Sequence, residues 1–133
     1  MNSPPIRLPT VLLRHDLPDG TRHFDWMLAA EPDPDSPLVT FRVEERIDRG
    51  PPAFRAERLA DHRRRYLDYE GPISGGRGRV SRVASGECTI RGLGDHEIDL
   101  LISLDRLEGP LRGIALGDDR ALWRFSRPAS HAG

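Results

Sequence analysis

The chain has 133 residues, room for one domain of the usual size and not for two. A hydrophobic fraction of 37% supports a packed core, and no stretch approaches the roughly 18–20 apolar residues of a membrane span. Twenty basic against 21 acidic residues give a net charge of −1, so total charge does not announce a nucleic-acid binder, and the single cysteine, Cys88, excludes a disulfide framework or a cysteine-based zinc site within the chain.

The opening MNSPPIRLPT has no charged leader followed by an apolar block, so the expected location is the cytoplasm, with no membrane association. Gly and Pro, 13 and 12 residues, imply many turns without low complexity. Apolar residues then recur at every second position in short runs, which predicts strands over residues 10–14, 22–29, 38–43, 54–59, 78–83, 87–91, 98–104, 111–116 and 121–126. The polar EPDPDS segment, residues 31–36, reads as a loop. Residues 61–69 read as one helical turn or a loop. The runs 79–83 and 87–91 read as a hairpin through Ala84, Ser85 and Gly86, with Gly86 supplying a positive φ. Residues 97–107 fit a strand better than a helix, because GLGDH and EGP cut the run short and a Gly-Pro turn precedes the next run. The fold class is therefore mostly β: a small single-domain β-barrel of about eight short strands with little helix, spanning residues 1–133, with residues 1–7 and 128–133 as flexible tails.

Two stretches carry chemistry. In HDLPDGTRHFDWML, residues 15–28, strand alternation puts His23 and Asp25 on one face and Phe24, Trp26 and Leu28 on the other. An antiparallel return through the Pro-Asp-Gly turn brings His15 alongside them. Two imidazoles and a carboxylate can hold a divalent metal with open positions; equally, they can be solvated or hydrogen-bonded edge residues of a hairpin. In LADHRRRYLDYEGPISGGRG, residues 59–78, His62, Arg63, Arg64, Arg65 and Tyr66 supply donors suited to phosphoryl oxygens; alternatively, the arginines form a solvated face and the tyrosines pack on the barrel. All 20 cations are Arg, whose planar fork binds phosphate bidentately, although a GC-rich genome also produces this bias. GGRG lacks the Lys-Ser/Thr ending and the strand-to-helix context of a phosphate-cradling loop. His96 and His131 read as surface residues, Cys88 as a small core hydrophobe and Trp123 as core.

The order HD, RHFDW and, some 35 residues later, DH, Y, YEG, a Ser and Gly-rich turn and RG resembles the 3′-phosphoesterase module of bacterial DNA ligase D. That family's pattern is KHDxxxxHYDFRLE followed by EDHPxDYxxFEGxIPxGxYGxG, and the likeness runs over about residues 10–127. It implies a diverged, stand-alone β-barrel hydrolase of DNA repair that depends on Mn²⁺, with Zn²⁺ as the other candidate metal. The activity it implies is removal of a 3′-phosphate or a 3′-terminal ribonucleotide. His15, His23 and Asp25 match the metal ligands, and His62 and Tyr66 match the His and Tyr that contact phosphate. The partners it implies are nucleic-acid 3′ ends, of DNA or RNA-tailed DNA, and DNA end-joining proteins, for a chain that works as a monomer. Two departures stand out: seven residues rather than five separate the first two histidines, and Met27 stands where the pattern has Arg. Arg22, Arg63, Arg64 and Arg65 are the candidates to supply the missing guanidinium, with Arg22 and Arg65 placed in the catalytic set. Two other readings of the same residues are a catalytically impaired module that binds phosphate or nucleic-acid ends, and a barrel that holds a protein through its edge strands.

Overall fold

A computed structural model describes residues 6–118 and 120–128. The strands are β1 (Leu8–Asp16), β2 (Arg22–Ala29), β3 (Leu38–Val43), β4 (Ala53–His62), β5 (Gly71–Pro72), β6 (Arg79–Leu93), β7 (Glu97–Leu104), β8 (Leu107–Leu116) and β9 (Leu122–Ser126). Two short 3₁₀ turns, Ile47–Arg49 and Arg64–Leu67, interrupt them. Every pairing is antiparallel, in the order β1-β2-β3-β4-β9-β8-β7-β6, and β6 pairs back onto β1. The result is a closed eight-stranded barrel with β5 lying outside it on β6. Closure leaves no long unpaired strand edge of the kind a protein-holding edge strand would use. Among the described residues no helix is long and apolar enough to cross a membrane. The expected tails fall mostly outside the described residues.

Strand alternation fills the barrel. Ile98, Leu100, Ile102 and Leu104 of β7 point inward in strict succession, facing Phe54, Trp123 and Phe125 from the strands opposite. Trp26 and Phe41 each meet Phe125 edge to face, with ring centroids 5.0 and 5.1 Å from its own, in the geometry that aromatic quadrupoles favour. The Trp26 indole N–H donates to Thr10 Oγ1 at 3.0 Å, and Thr10 passes its own proton to the Met27 carbonyl at 2.8 Å, so a buried polar pair is satisfied within the β1–β2 ribbon. Cys88 and Trp123 lie in this core, and burial pushes the Cys88 thiol up to about 12.

Three local expectations are corrected. Residues 79–93 form one strand, not a hairpin, because their first part pairs with β1 and their later part with β7. Ala84 and Gly86 pair with Leu12 and Thr10, and Val83 is the extra residue of a bulge opposite Leu12 and Leu13. Gly86 is needed for space rather than for a turn: a Cβ there would overlap the Ser103 carbonyl of β7. The turn expected at Gly109-Pro110 lies instead at Asp105 and Arg106, with Asp105 at φ 54°. Pro110 sits inside β8 ahead of the β9 ladder, which begins at Arg112, so its missing N–H falls where a strand tolerates proline.

Gly86→Ala is expected to lower unfolding stability by about 1–3 kcal/mol, the usual cost of overpacking. Ser85→Ala, on an exposed neighbour, should shift it by less than about 0.5 kcal/mol. Urea denaturation midpoints of the two variants check this.

Candidate metal centre and its cleft

The β1–β2 ribbon is apolar on both faces. Leu12, Phe24, Trp26 and Leu28 fill the barrel, while Val11, Leu13, Met27 and Ala29 are equally buried on its outer side. Tyr66, Leu67, Tyr69 and Ile73, carried by the excursion between β4 and β6, pack onto that outer side with Leu38 and Val80. The polar residues that continue the outer face toward the ribbon's turn are His15, His23 and Asp25. Alternation thus separates Asp25 from Trp26 as the sequence implies, and places the candidate ligands outside the barrel wall.

His15 and His23 are direct cross-strand partners, and Asp25 pairs with Leu13 one step along the same face. His15 Nδ1 lies 3.2 Å from His23 Nε2, His23 Nε2 lies 3.1 Å from Asp25 Oδ1, and His15 Nδ1 lies 3.4 Å from Asp25 Oδ2. The two imidazoles reach different oxygens of the Asp25 carboxylate, and one donor atom from each of the three residues lies within 4.8 Å of the others, close enough for the group to hold a metal ion. His23 and Asp25 are buried, which removes the reading of them as solvated edge residues.

The tautomer of His15 is set from the segment just ahead of β6. Its Nε2 lies 2.7 Å from the Arg77 carbonyl, an acceptor only, so Nε2 carries the proton and Nδ1 presents a lone pair to Asp25 and His23. Gly78 permits this approach, since at φ 95° it passes so close to the Asp16 carbonyl that any Cβ would overlap it. A lone pair facing a carboxylate calls for a proton or a cation between them. The Asp25 hydrogen bond accordingly raises the His15 pKa above 6.5, against the lowering effect of partial burial. Burial acts to raise Asp25, but hydrogen bonds from His15 and His23, with their charge, bring it down to about 2. His23 Nδ1 is buried without a hydrogen-bond partner among the described residues, so His23 lacks the outer support that His15 has.

A cleft of about 670 Å³ opens over His15 and Asp25. Met27 and Val80 complete its floor, and Tyr66 and Tyr69 stand in its wall. His62 ends β4 and lines the same cleft. Its Nδ1 donates to the Ala60 carbonyl at 2.8 Å, which leaves Nε2 without a protein partner among the described residues. Tyr66 meets the His62 ring at 5.9 Å, and the Arg65 guanidinium lies over the Tyr69 ring at 4.4 Å and the Tyr66 ring at 5.7 Å. Arg63 and Arg77 also line the cleft, the latter tied to the Ser74 carbonyl at 2.8 Å. No carboxylate pairs with Arg63, Arg65 or Arg77 among the described residues, while the one acid of the wall, Asp61, lies 3.7 Å from Arg58.

His15, His23, Asp25, His62, Tyr66 and Arg65 are therefore brought to one place. Arg22 is not: as an even-numbered residue of β2 it shares the face of Phe24 and lines a groove at the barrel mouth. Arg64 is turned to the Glu31 carbonyl. Tyr69, part of the residue 59–78 cluster, also lines the cleft, and so does Arg77, which the sequence did not single out for it; the Gly-flanked Arg of GGRG was the available signal. His96 is exposed on the barrel surface, and His131 lies outside the described residues. No family model matches the chain, and no curated protein matches it.

Mn²⁺ titration by calorimetry should show one site, weakened by about 100-fold or more in His23→Ala and about 10–100-fold in Gly78→Ala, which displaces the Arg77 carbonyl from His15. In metal-free protein, the His15 contribution to stability is full below 6.5 and lost as pH rises through its raised folded value. That of Asp25 is full above 3.8 and lost as pH falls through about 2. Because proton and ion compete for His15 Nδ1, Mn²⁺ affinity should be higher at about pH 8 than at about pH 6.

Proposed function

We propose that the cleft is a divalent-metal phosphoesterase site acting on nucleic-acid 3′ ends, with Mn²⁺ as the metal and Zn²⁺ also compatible with the nitrogen and oxygen donors. The observation that carries this reading is that His15 and Asp25, two of a three-residue group that could hold a metal, line one cleft with arginines that no carboxylate pairs among the described residues, the third member His23 lying directly against them. His15, His23 and Asp25 would hold the ion, which when bound supplies Lewis-acid polarisation of the phosphoryl group and activation of water.

The chain's own residues account for the remaining tasks. Arg65, braced on Tyr69 and Tyr66, presents a guanidinium whose position costs little further ordering when a phosphate arrives. Arg63 and Arg77 add positive charge around the equatorial oxygens, and the Tyr66 hydroxyl adds a donor. His62, oriented by the Ala60 carbonyl, offers Nε2 to the leaving 3′-oxygen. As water attacks phosphorus and the P–O3′ bond breaks, a protonated His62 gives its proton to that oxygen, leaving a 3′-hydroxyl and inorganic phosphate. The fit to a nucleic-acid end, DNA repair and end-joining partners follows from the resemblance to the ligase D module.

One observation favours a second reading, a module that binds phosphate or nucleic-acid ends without efficient turnover. Met27 is 1% exposed and forms the cleft floor beside Asp25, where a thioether offers a phosphate no charge-assisted hydrogen bond, an interaction worth about 1.5–3 kcal/mol.

With Mn²⁺, the wild-type protein should release phosphate from a 3′-phosphorylated primer, and His23→Ala should reduce the rate by about 100-fold or more. Equal rates in the two would exclude the scheme. Salt-dependent binding of the primer with no release would select the binding module instead.

A further inference from the structure

Beyond the cleft, the mouth of the barrel lies on the opposite face of the same ribbon. Two adjoining shallow grooves, of about 430 and 450 Å³, share Arg22, Phe24, Arg46 and Arg49. The first adds Arg14 and the hydroxyl-bearing Ser81, and all of its charged lining residues are arginines. The second reaches the acids Glu44 and Glu45.

The four arginines divide into two kinds. Arg46 is locked by two hydrogen bonds to the buried Asp48, at 2.8 and 2.7 Å, and Arg14 by Asp16 at 3.0 Å. Arg22 and Arg49 are exposed and make no side-chain hydrogen bond or ion pair among the described residues. A fixed cationic frame with two exposed guanidiniums that no hydrogen bond holds, Arg49 with the charge of buried Asp48 nearby, is an arrangement that accommodates a phosphate, because each fork can take two of its oxygens. Phe24 only floors the groove, its ring being buried in the barrel core, so the groove offers a polynucleotide its charge and the Ser81 hydroxyl rather than a stacking face.

The placement of this groove decides what it accompanies. Arg14 and His15 are neighbours on β1, Arg22 and His23 are neighbours on β2, and Arg14 pairs with Phe24 where His15 pairs with His23. The arginine groove and the candidate metal ligands therefore lie back to back at the same end of one two-stranded ribbon, separated by its thickness. A strand whose end enters the cleft needs only to pass round the Leu17–Thr21 turn to reach the groove.

We infer that the arginine groove at the barrel mouth, centred on Arg22 and Arg49, is a second phosphate site that takes a backbone phosphodiester of the strand whose 3′ end occupies the cleft. This rests on the phosphoesterase reading of the cleft for the identity of the strand. The groove supplies grip on the polynucleotide and takes no part in bond breaking. A free phosphate offers the same chemistry without the length, so the test compares long and short ligands.

The experiment is fluorescence anisotropy with a labelled single-stranded DNA of about 12 nucleotides, titrated across a salt series, with a mononucleoside 3′-phosphate as competitor. The Arg22→Ala/Arg49→Ala double variant should bind the oligonucleotide about tenfold more weakly, with a salt slope shallower by about 1.4, two phosphate contacts at about 0.7 each. Competition by the mononucleotide should be preserved. His23→Ala should retain the groove's contribution, so that failure of the metal site and failure of the groove are read separately. Unchanged oligonucleotide affinity and slope in the double variant would overturn the proposal. So would an equal loss for oligonucleotide and mononucleotide, which would assign both arginines to a single short-anion site.

Discussion

Everything at the candidate site follows from burying both faces of one two-stranded ribbon. A barrel strand ordinarily turns one face to the core and the other to water. In β1 and β2 the second face carries Val11, Leu13, Met27 and Ala29, and the excursion between β4 and β6 is folded down on it by Tyr66, Leu67, Tyr69 and Ile73. That cover is apolar over most of the ribbon and ends where the ribbon becomes polar. His15, His23 and Asp25 thus occupy the margin of a dry patch, where charge interacts more strongly than in water and an unpaired lone pair is costly. The same tyrosines that seal the patch also wall the cleft and brace Arg65, so packing and chemistry are joined in the same side chains.

Much of this was legible in the chain. The alternation in RHFDWMLA separates His23 and Asp25 from Phe24 and Trp26, and strand 22–29 has the bounds that the pattern implies. The apolar runs Val11-Leu12-Leu13 and Trp26-Met27-Leu28-Ala29 depart from strict alternation, and doubly buried strands produce such runs. The same period excludes Arg22 from the cleft, because it falls on the Phe24 face. Less legible were features decided by distant partners. Gly86 looks like a turn residue until the Ser103 carbonyl arrives beside it, 17 residues away in the chain, and Gly109-Pro110 looks like a turn until Leu101 pairs across from it. Local punctuation signals cannot distinguish a glycine used for its backbone freedom from one used for its lack of a side chain.

The near-neutral total charge conceals a marked sorting of charge. Acids in this chain often lie beside the arginines of their own strand or turn, as Asp16 beside Arg14, Glu44 beside Arg42 and Asp48 beside Arg46. Arg63, Arg65 and Arg77 in the cleft have no such carboxylate among the described residues, while at the barrel mouth Arg14 and Arg46 keep theirs and Arg22 and Arg49 make no ion pair. Met27 works in the opposite direction, placing an apolar side chain two residues from Asp25 on the same strand face, in the lining of the cleft. The balance between a turnover site and a grip without turnover depends on whether cations held in the cleft wall make up for an uncharged floor.

The barrel's seam has a last consequence. β1 and β6 meet only when the first and middle parts of the chain find each other, and the Arg77 carbonyl that orients His15 comes from 62 residues downstream. All three candidate ligands lie on β1 and β2, so the set forms with that hairpin, while the carbonyl that fixes the His15 tautomer arrives only when the barrel closes. An ion seated there would stitch β1 to β2 and would brace the seam only through the His15–Arg77 hydrogen bond.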